Sequence, residues 1–195
     1  MHPTFAYTMI FPLITLLLFI SSAGALATGK RDISTAASTL IQDIQNIDTG
    51  VKALTTSIHN FQGGNIMTTL IDGTPVTSGI AAIHIANRKG FLDANLSPTL
   101  SASDSDAIVT FAERSVGVDI PASVDALKAK KARFVAAGLG GVTIASLELL
   151  LNDHDTFSAA LLAKTTGDAS LEARGIAVVK KIHDAIQGGI DYYSS

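Results

Sequence analysis

The sequence predicts an all-α fold, an antiparallel bundle of about five helices. Apolar residues recur at steps of three and four over several long stretches, which is the period of an amphipathic helix. Alternation typical of strands is not seen over any useful length, and short segments rich in Gly, Pro, Ser and Asp separate the helical stretches. The chain has 195 residues, of which 47% are apolar and 16% charged, so it does not belong to the disordered class.

The N-terminal region differs in composition from the rest, because no Lys, Arg, Asp or Glu precedes Lys30. Residues 10–20 form an apolar run that is too short for a membrane span, and small residues in A-x-A register follow it at 23–27. This pattern predicts a cleaved secretory signal, with an uncleaved anchor as the alternative. The pair Lys30-Arg31 is either a processing site or two solvated charges. The predicted organisation is a signal peptide at 1–27, a short pro-segment at 28–31, and one helical-bundle domain at 32–195.

The clearest element is a long amphipathic helix that ends at Gly63-Gly64. Its apolar positions alternate steps of four and three without error, so one stripe stays in register along the whole helix. They are Ile33, Ala37, Leu40, Ile44, Ile47, Val51, Leu54, Ile58 and Phe61. We then expect only a short turn within Asn65–Pro75, broken at Asp72-Gly73, before a second helix from Thr77 to Leu96.

The third helical region begins at the capping-box-like segment 103–106 and ends at the glycines that follow position 137. Its apolar stripe changes phase near Pro121, which cannot donate to the carbonyl of Gly117, so we expect a kink or a break there. A fourth helix is predicted from Val142 to Lys164. A fifth, capped by Asp168, reaches Tyr193.

Catalytic and metal-binding motifs are not found. The chain has no Cys, which excludes a disulfide framework, a zinc ribbon, a thiol nucleophile and an iron-sulfur cluster. No G-x-S-x-G elbow occurs, and Gly138-Leu139-Gly140-Gly141 follows a helix, which favours a linker over a phosphate loop. The formal net charge of −3 gives no reason to bind nucleic acid. We expect no enzyme activity, no cofactor and no metal.

Several polar residues fall on apolar helix faces when positions are projected at the period of an α-helix. They are His154, Ser158, His183, Ser115, Lys131 and Asn87. Each could find a single partner, and Lys131 could extend to solvent. Because an unpaired buried polar group costs about 1–3 kcal/mol, a hydrated or ligand-filled cavity is the second interpretation. A three-histidine metal site is disfavoured, since no histidine pair has the spacing that fixes two ligands on one helix.

The mature region resembles the fungal hydrophobic surface binding protein A family, which includes the antigenic cell wall galactomannoproteins. The resemblance rests on the dibasic pair, the long helix with Ile44-Gln45-Asn46-Ile47-Asp48, the segment Phe61-Gln62-Gly63-Gly64, and the run from Leu127 to Phe134. It implies a secreted, non-catalytic bundle that acts at cell walls or hydrophobic surfaces. In some members a tunnel between the helices holds a long-chain fatty acid, and some recruit lytic enzymes such as cutinases.

This resemblance leads to a first hypothesis, a fatty acid enclosed in the bundle. The apolar lining would be Leu54, Ile58, Ile83, Phe111, Leu127, Phe134, Leu151, Phe157, Leu161, Val179 and Ile186, and the head group would meet Ser115, Lys131, His154, Ser158 or His183. The alternatives are a surface-adsorbed recruiter of a secreted hydrolase and a wall mannoprotein without a ligand. The Ser/Thr-rich tail of wall-bound members is not found, so covalent attachment is not expected. Asn95-Leu96-Ser97 is a glycosylation sequon, weakened by Pro98.

Overall fold

Seven helical segments make up the part of the chain that the structure, a computed structural model, describes, namely residues 32–195. They are α1 (Thr35–Asn60), α2 (Ile66–Leu96), α3 (Ala102–Arg114), α4 (Val116–Ala129), α5 (Lys131–Ala136), α6 (Gly140–Leu162) and α7 (Ala169–Ser194). No strand occurs within these residues. The prediction of an all-α bundle is confirmed. The predicted signal peptide and pro-segment lie outside the described residues.

The bundle interior is enclosed by α1, α2, α4, α6 and α7. Helix α1 packs on α2 and α4, α2 packs on α6, and α7 packs on both α6 and α4, so the five helices form a closed ring. Short turns join α1 to α2 and α6 to α7, and each of these pairs is therefore antiparallel. Helix α3 covers one side by packing on α1 and α7.

Helix α1 follows the predicted stripe. Ser34 caps it by accepting a hydrogen bond from the amide of Ala37. The apolar positions from Ala37 to Phe61 are buried, whereas Ile33 precedes the helix and is 47% exposed. Gly63 and Gly64 have φ values of 67° and 116°, a region that favours glycine, and they turn the chain into α2.

The second helix is longer than predicted, and the expected break at Asp72-Gly73 is wrong. Asn65 caps α2 by accepting from the amide of Thr68 at 3.0 Å, so the helix starts at Ile66. Pro75 lies inside the helix and is exposed. Because proline has no amide hydrogen, the carbonyl of Ile71 lacks its helical donor. Ile71 is exposed, so water can reach this carbonyl. Asp72 also supports this end of the helix by accepting from the amide of Gln62 at 3.0 Å.

The third helical region is divided, as the sequence predicts, but the breaks are not at Pro121. They lie at Ser115, with φ −112° and ψ −102°, and at Lys130. Because α4 begins at Val116, Pro121 lies in its second turn, where the helix accommodates the loss of one hydrogen bond. The N-cap of α3 is Ser101, not Ser103, and it accepts from the amide of Asp104.

A close approach between α2 and α6 places Phe157 in the interior. A Cβ atom on Gly90 would lie 2.8 Å from Cζ of Phe157, so only glycine allows the ring to pack directly against the α2 backbone. Within residues 32–195, α2 is also the one helix whose length and composition would allow it to cross a membrane, and 11% of its most apolar window is buried. The outer face of α2 is therefore apolar although the helix belongs to the bundle.

Candidate functional site

The bundle interior contains an apolar cavity of about 120 Å³, which we call the inner cavity. Helices α1, α4, α6 and α7 supply most of its wall, and the α1 positions that line it run from Ile44 to Ile58, about 21 Å at 1.5 Å per residue. Eight of the residues predicted as apolar lining contribute to it. They are Leu54, Ile58, Ile83, Leu127, Phe157, Leu161, Val179 and Ile186.

A second cavity of about 200 Å³ lies beside the N-terminal half of α2, and we call it the α2 cavity. Leu70 and Val142 contribute apolar wall, and Phe134 lines it while stacking on Phe61 at 4.2 Å between ring centroids. Five hydroxyl-bearing residues also line it: Thr69, Thr74, Thr77, Thr143 and Ser146. This cavity could not be predicted from the sequence, because residues 65–75, part of which line it, were expected to form only a short turn.

The two cavities share part of their wall. Leu54, Ile58, Leu127, Leu147 and Leu150 line both. The partition between them is thus built from aliphatic side chains on α1, α4 and α6. Side chains, and not helix backbone, therefore separate the two cavities.

The polar part of the inner cavity is a hydrogen-bonded pair on α6, His154 and Ser158. Nε2 of His154 lies 3.1 Å from the carbonyl oxygen of Val179, which can only accept, so Nε2 carries the proton and donates. Nδ1 of the neutral ring is therefore an acceptor, and the Ser158 hydroxyl donates to it at 3.3 Å. Burial lowers the pKa of His154, because desolvation disfavours the imidazolium form. The pair is therefore uncharged at neutral pH.

Charged side chains are excluded from both cavities. The residues that line them in the described part of the chain include no Asp, Glu, Lys or Arg. The carboxylates that flank His154 point to other partners: Oδ2 of Asp153 lies 2.6 Å from Nδ1 of His84, and Oδ1 of Asp155 lies 2.9 Å from Nδ1 of His183. The remaining polar groups of the inner cavity are neutral, namely Asn87, Ser123 and Thr165.

Three of the predicted head-group residues do not line either cavity. Ser115 is buried at the break between α3 and α4, where its hydroxyl donates to the carbonyl of Phe111 at 2.7 Å. Lys131 extends to the surface, donates to the carbonyl of Tyr192 and lies 4.9 Å from the Tyr192 ring centroid. His183 is 41% exposed and faces Asp155.

Two predicted lining residues, Phe111 and Leu151, are half-buried and pack around the core instead of facing the cavities. Asn95 is exposed near the C-terminus of α2, and its side-chain amide donates to the carbonyl of Phe91 at 2.7 Å. Among residues 32–195 no group of three or more His, Cys, Asp or Glu side chains could hold a metal ion.

Solved structures of three fungal protein domains superimpose on this architecture. Afmp4p in complex with palmitic acid superimposes with a TM-score of 0.74 at 25% identity, covering 80% of this chain and 99% of that one. Ligand binding domain 1 of Penicillium marneffei MP1 protein, complexed with arachidonic acids, gives 0.73 at 23% identity and covers 82% and 99%. Domain 2 of the same protein gives 0.72 at 20% identity and covers 85% and 99%.

Curated protein sequences give no significant match. A sequence profile described as hydrophobic surface binding protein A matches residues 37–163, which is well over half of the chain. This match confirms the resemblance noted in the sequence. The protein belongs to the hydrophobic surface binding protein A family.

Proposed function

We propose that this protein binds a long-chain fatty acid inside the bundle, with the acyl chain extending through the inner cavity and the α2 cavity. The observation that carries the proposal is the mainly apolar lining of the two cavities, which contains no charged side chain among the described residues, since such a lining has little desolvation cost when it receives an acyl chain. The relative Afmp4p, with the same fold, was solved with palmitic acid.

The size of the cavities supports occupation of both. An apolar cavity of about 150 Å³ holds a molecule the size of benzene. The inner cavity, at about 120 Å³, is therefore too small for a complete long acyl chain. Movement of the shared side chains, Leu54, Leu127 and Leu147 among them, would join it to the α2 cavity and give the chain its full length.

Filling the inner cavity should abolish lipid uptake. Val51 lines this cavity and is buried, so Val51→Trp places an indole where the acyl chain would lie. We expect native mass spectrometry to show a fatty-acid adduct on the wild-type protein after delipidation and reloading with palmitic acid, and at least tenfold less on the variant. Val118→Trp is the matched control, because Val118 is 51% exposed on α4. A wild-type protein that keeps a single apo mass would refute the proposal.

A second candidate function is adsorption to a hydrophobic surface through α2. Seven large apolar residues of α2 are more than half exposed: Ile66, Met67, Leu70, Ile71, Ile85, Leu92 and Leu96. At 3.6 residues per turn they fall within an arc of about 140°, so they form one outward stripe. No Lys or Arg occurs between Lys52 and Arg88, so the first half of the stripe suits an uncharged surface.

Removing part of this stripe should weaken adsorption. The triple variant Ile66→Gln, Met67→Gln and Ile71→Gln removes three large apolar side chains from the stripe. Fully burying one such side chain contributes about 1.5–3 kcal/mol. We therefore expect retention on an octyl resin to fall at least tenfold. The matched control carries Val118→Gln, Val135→Gln and Ile176→Gln on other helices, where each residue is about half exposed. Equal retention of the two variants would argue against α2 as the adsorbing face.

The setting of this function is also a proposal. We propose secretion to the cell wall or extracellular space, supported by the signal-peptide pattern at 1–27 and by family membership. The role is binding and not catalysis, since the family is described by surface binding and its solved structural neighbour Afmp4p by a bound ligand. Recruitment of a secreted hydrolase to the surface is the proposed partner interaction, and Asn95 is the proposed glycosylation site.

A further inference from the structure

We propose that the inner cavity selects a lipid whose head group is uncharged and carries a hydroxyl hydrogen, an alcohol or an undissociated carboxylic acid, and discriminates against the ionised carboxylate. This inference rests on the proposed lipid-binding function and assigns the head-group class. The pair formed by His154 and Ser158 is the proposed head-group site.

The hydrogen bonds of His154 leave an acceptor, and not a donor, facing the cavity. Nε2–H of His154 already donates to the carbonyl oxygen of Val179, so the ring offers the cavity only the acceptor Nδ1. The contact of Nδ1 with Ser158 is long, at 3.3 Å, and a better donor can replace it. A ligand O–H can donate to Nδ1 and accept from the Ser158 hydroxyl at the same time. A carboxylate could accept from the Ser158 hydroxyl, but it has no hydrogen for Nδ1, so one of its oxygens would face the lone pair of that nitrogen.

Among the described residues, no charged side chain lines either cavity to balance an ionised head group. Transferring an isolated carboxylate from water into an apolar site costs several kcal/mol or more unless a cation or several donors compensate it. Neither cavity lining, as far as the structure describes the chain, contributes Lys or Arg. Lys131 and His183, two of the head-group residues predicted from the sequence, lie near the surface with their own partners.

The ionisable groups near His154 are paired with other residues. On α6 its neighbours Asp153 and Asp155 are paired with His84 of α2 and His183 of α7. Asp155 raises and His183 lowers the pKa of His154, and both effects are smaller than that of burial, which lowers it. The lining residues of α1, α3 and α4 carry no ionisable side chain. The site therefore stays neutral while the carboxyl group of a free fatty acid ionises in water.

The test compares three ligands with the same alkyl chain on the delipidated full-length protein, at concentrations at which each ligand is monomeric. Hexadecanol is neutral at every pH, palmitic acid ionises, and hexadecyl sulfonate is always charged. We expect the affinity for hexadecanol to be the same at pH 6 and pH 8. The affinity for palmitic acid should fall about tenfold per pH unit, because the protonated fraction falls by that factor above the carboxyl pKa. The sulfonate should bind at least tenfold more weakly than hexadecanol at both pH values.

Two outcomes overturn the head-group assignment while leaving lipid binding intact: sulfonate that binds as tightly as the alcohol, or palmitic acid whose affinity does not change with pH. Failure of all three ligands to bind overturns the proposed function itself, and the inference with it. These failures are therefore distinguishable.

A variant pair locates the site. Ser158→Ala should reduce hexadecanol affinity severalfold and leave the affinity for hexadecane unchanged, because only the alcohol uses the hydroxyl. Ser57→Ala removes a hydroxyl that bonds the backbone carbonyl of Ala53 within α1, outside both linings, and should change neither affinity. Equal loss of both ligands in Ser158→Ala would show a packing effect and would contradict the assigned role.

Discussion

Replacing Phe61 with alanine is expected to lower the free energy of unfolding by about 3–5 kcal/mol. Phe61 is fully buried at the end of α1, and its ring stacks on Phe134 at 4.2 Å with an interplanar angle of 18°. Deleting the ring removes buried apolar area and leaves a void beside the α2 cavity. Urea unfolding followed by circular dichroism measures the loss.

The matched control is Phe91→Ala on α2. Phe91 is half-buried, and Cζ of Arg88 lies 5.0 Å from the centroid of its ring. Because the ring is partly exposed, water can fill part of the space that it leaves. We expect a loss of less than about half that of Phe61→Ala. If the Phe61 variant loses under 1 kcal/mol, the aromatic stack does not hold the end of α1 to α5.

Replacing Lys89 with methionine is expected to cost about 1–3 kcal/mol, because it leaves the buried carboxylate of Asp43 without its partner. The cost stays below that of breaking a fully buried ion pair, since the Lys89 side chain is 55% exposed. Asp43 on α1 is 1% exposed, and its Oδ1 accepts from Nζ of Lys89 on α2 at 2.6 Å. Its Oδ2 has no hydrogen-bond partner among the described residues. Lys180→Met removes a pair between two exposed side chains, Lys180 and Asp184, and should change the stability by less than about 0.5 kcal/mol.

The loss of stability caused by Lys89→Met should depend on pH and should be smaller in acid than at neutral pH. Burial raises the pKa of Asp43 above its ordinary value of 3.8, and loss of Lys89, which lowers this pKa, raises it further. A folded-state pKa above the unfolded one means that protonation stabilises the fold, and that this stabilisation is lost as pH rises through the folded pKa. The deficit of Lys89→Met relative to wild type should therefore shrink as pH falls from 7 towards 4. A deficit that is constant with pH would show that losing Lys89 does not change the pKa of Asp43, and would contradict the assigned role of Lys89.

Helix α1 could be predicted from the sequence because its apolar residues occupy one face and its polar residues the other. The second helix was predicted only from Thr77 onwards. The N-terminal part of α2 exposes Ile66 and Met67 to solvent and so lacks the contrast between an apolar and a polar face on which a periodicity depends. Gly73 and Pro75 also indicate a break, yet the cap at Asn65 and the contact with α1 keep the segment helical.

The site could be predicted only on helices whose buried face can be identified from the sequence. On α6 the large residues Leu147 and Phe157 are buried, and they place His154 and Ser158 on the interior face. On α7 the buried face runs through Gly175 and Val178, while Ile176 is 51% exposed. When Ile176 is taken as part of the buried face, the predicted interior face of α7 is displaced around the helix. This displacement wrongly assigns His183 to the interior. Glycine carries no hydrophobic signal, which is why this rotation could not be seen in the sequence.

The shared wall of leucine and isoleucine side chains between the two cavities has a consequence for chain-length selectivity. A wall of backbone would set one maximum length for every ligand. In this protein a short acyl chain would fit without moving the wall, whereas each added stretch of chain would displace another aliphatic side chain. Displacing a side chain from its preferred rotamer costs about 0.5–1.5 kcal/mol. Selectivity for length would then be graded, and the residues that set the grading are Leu54, Leu127 and Leu147.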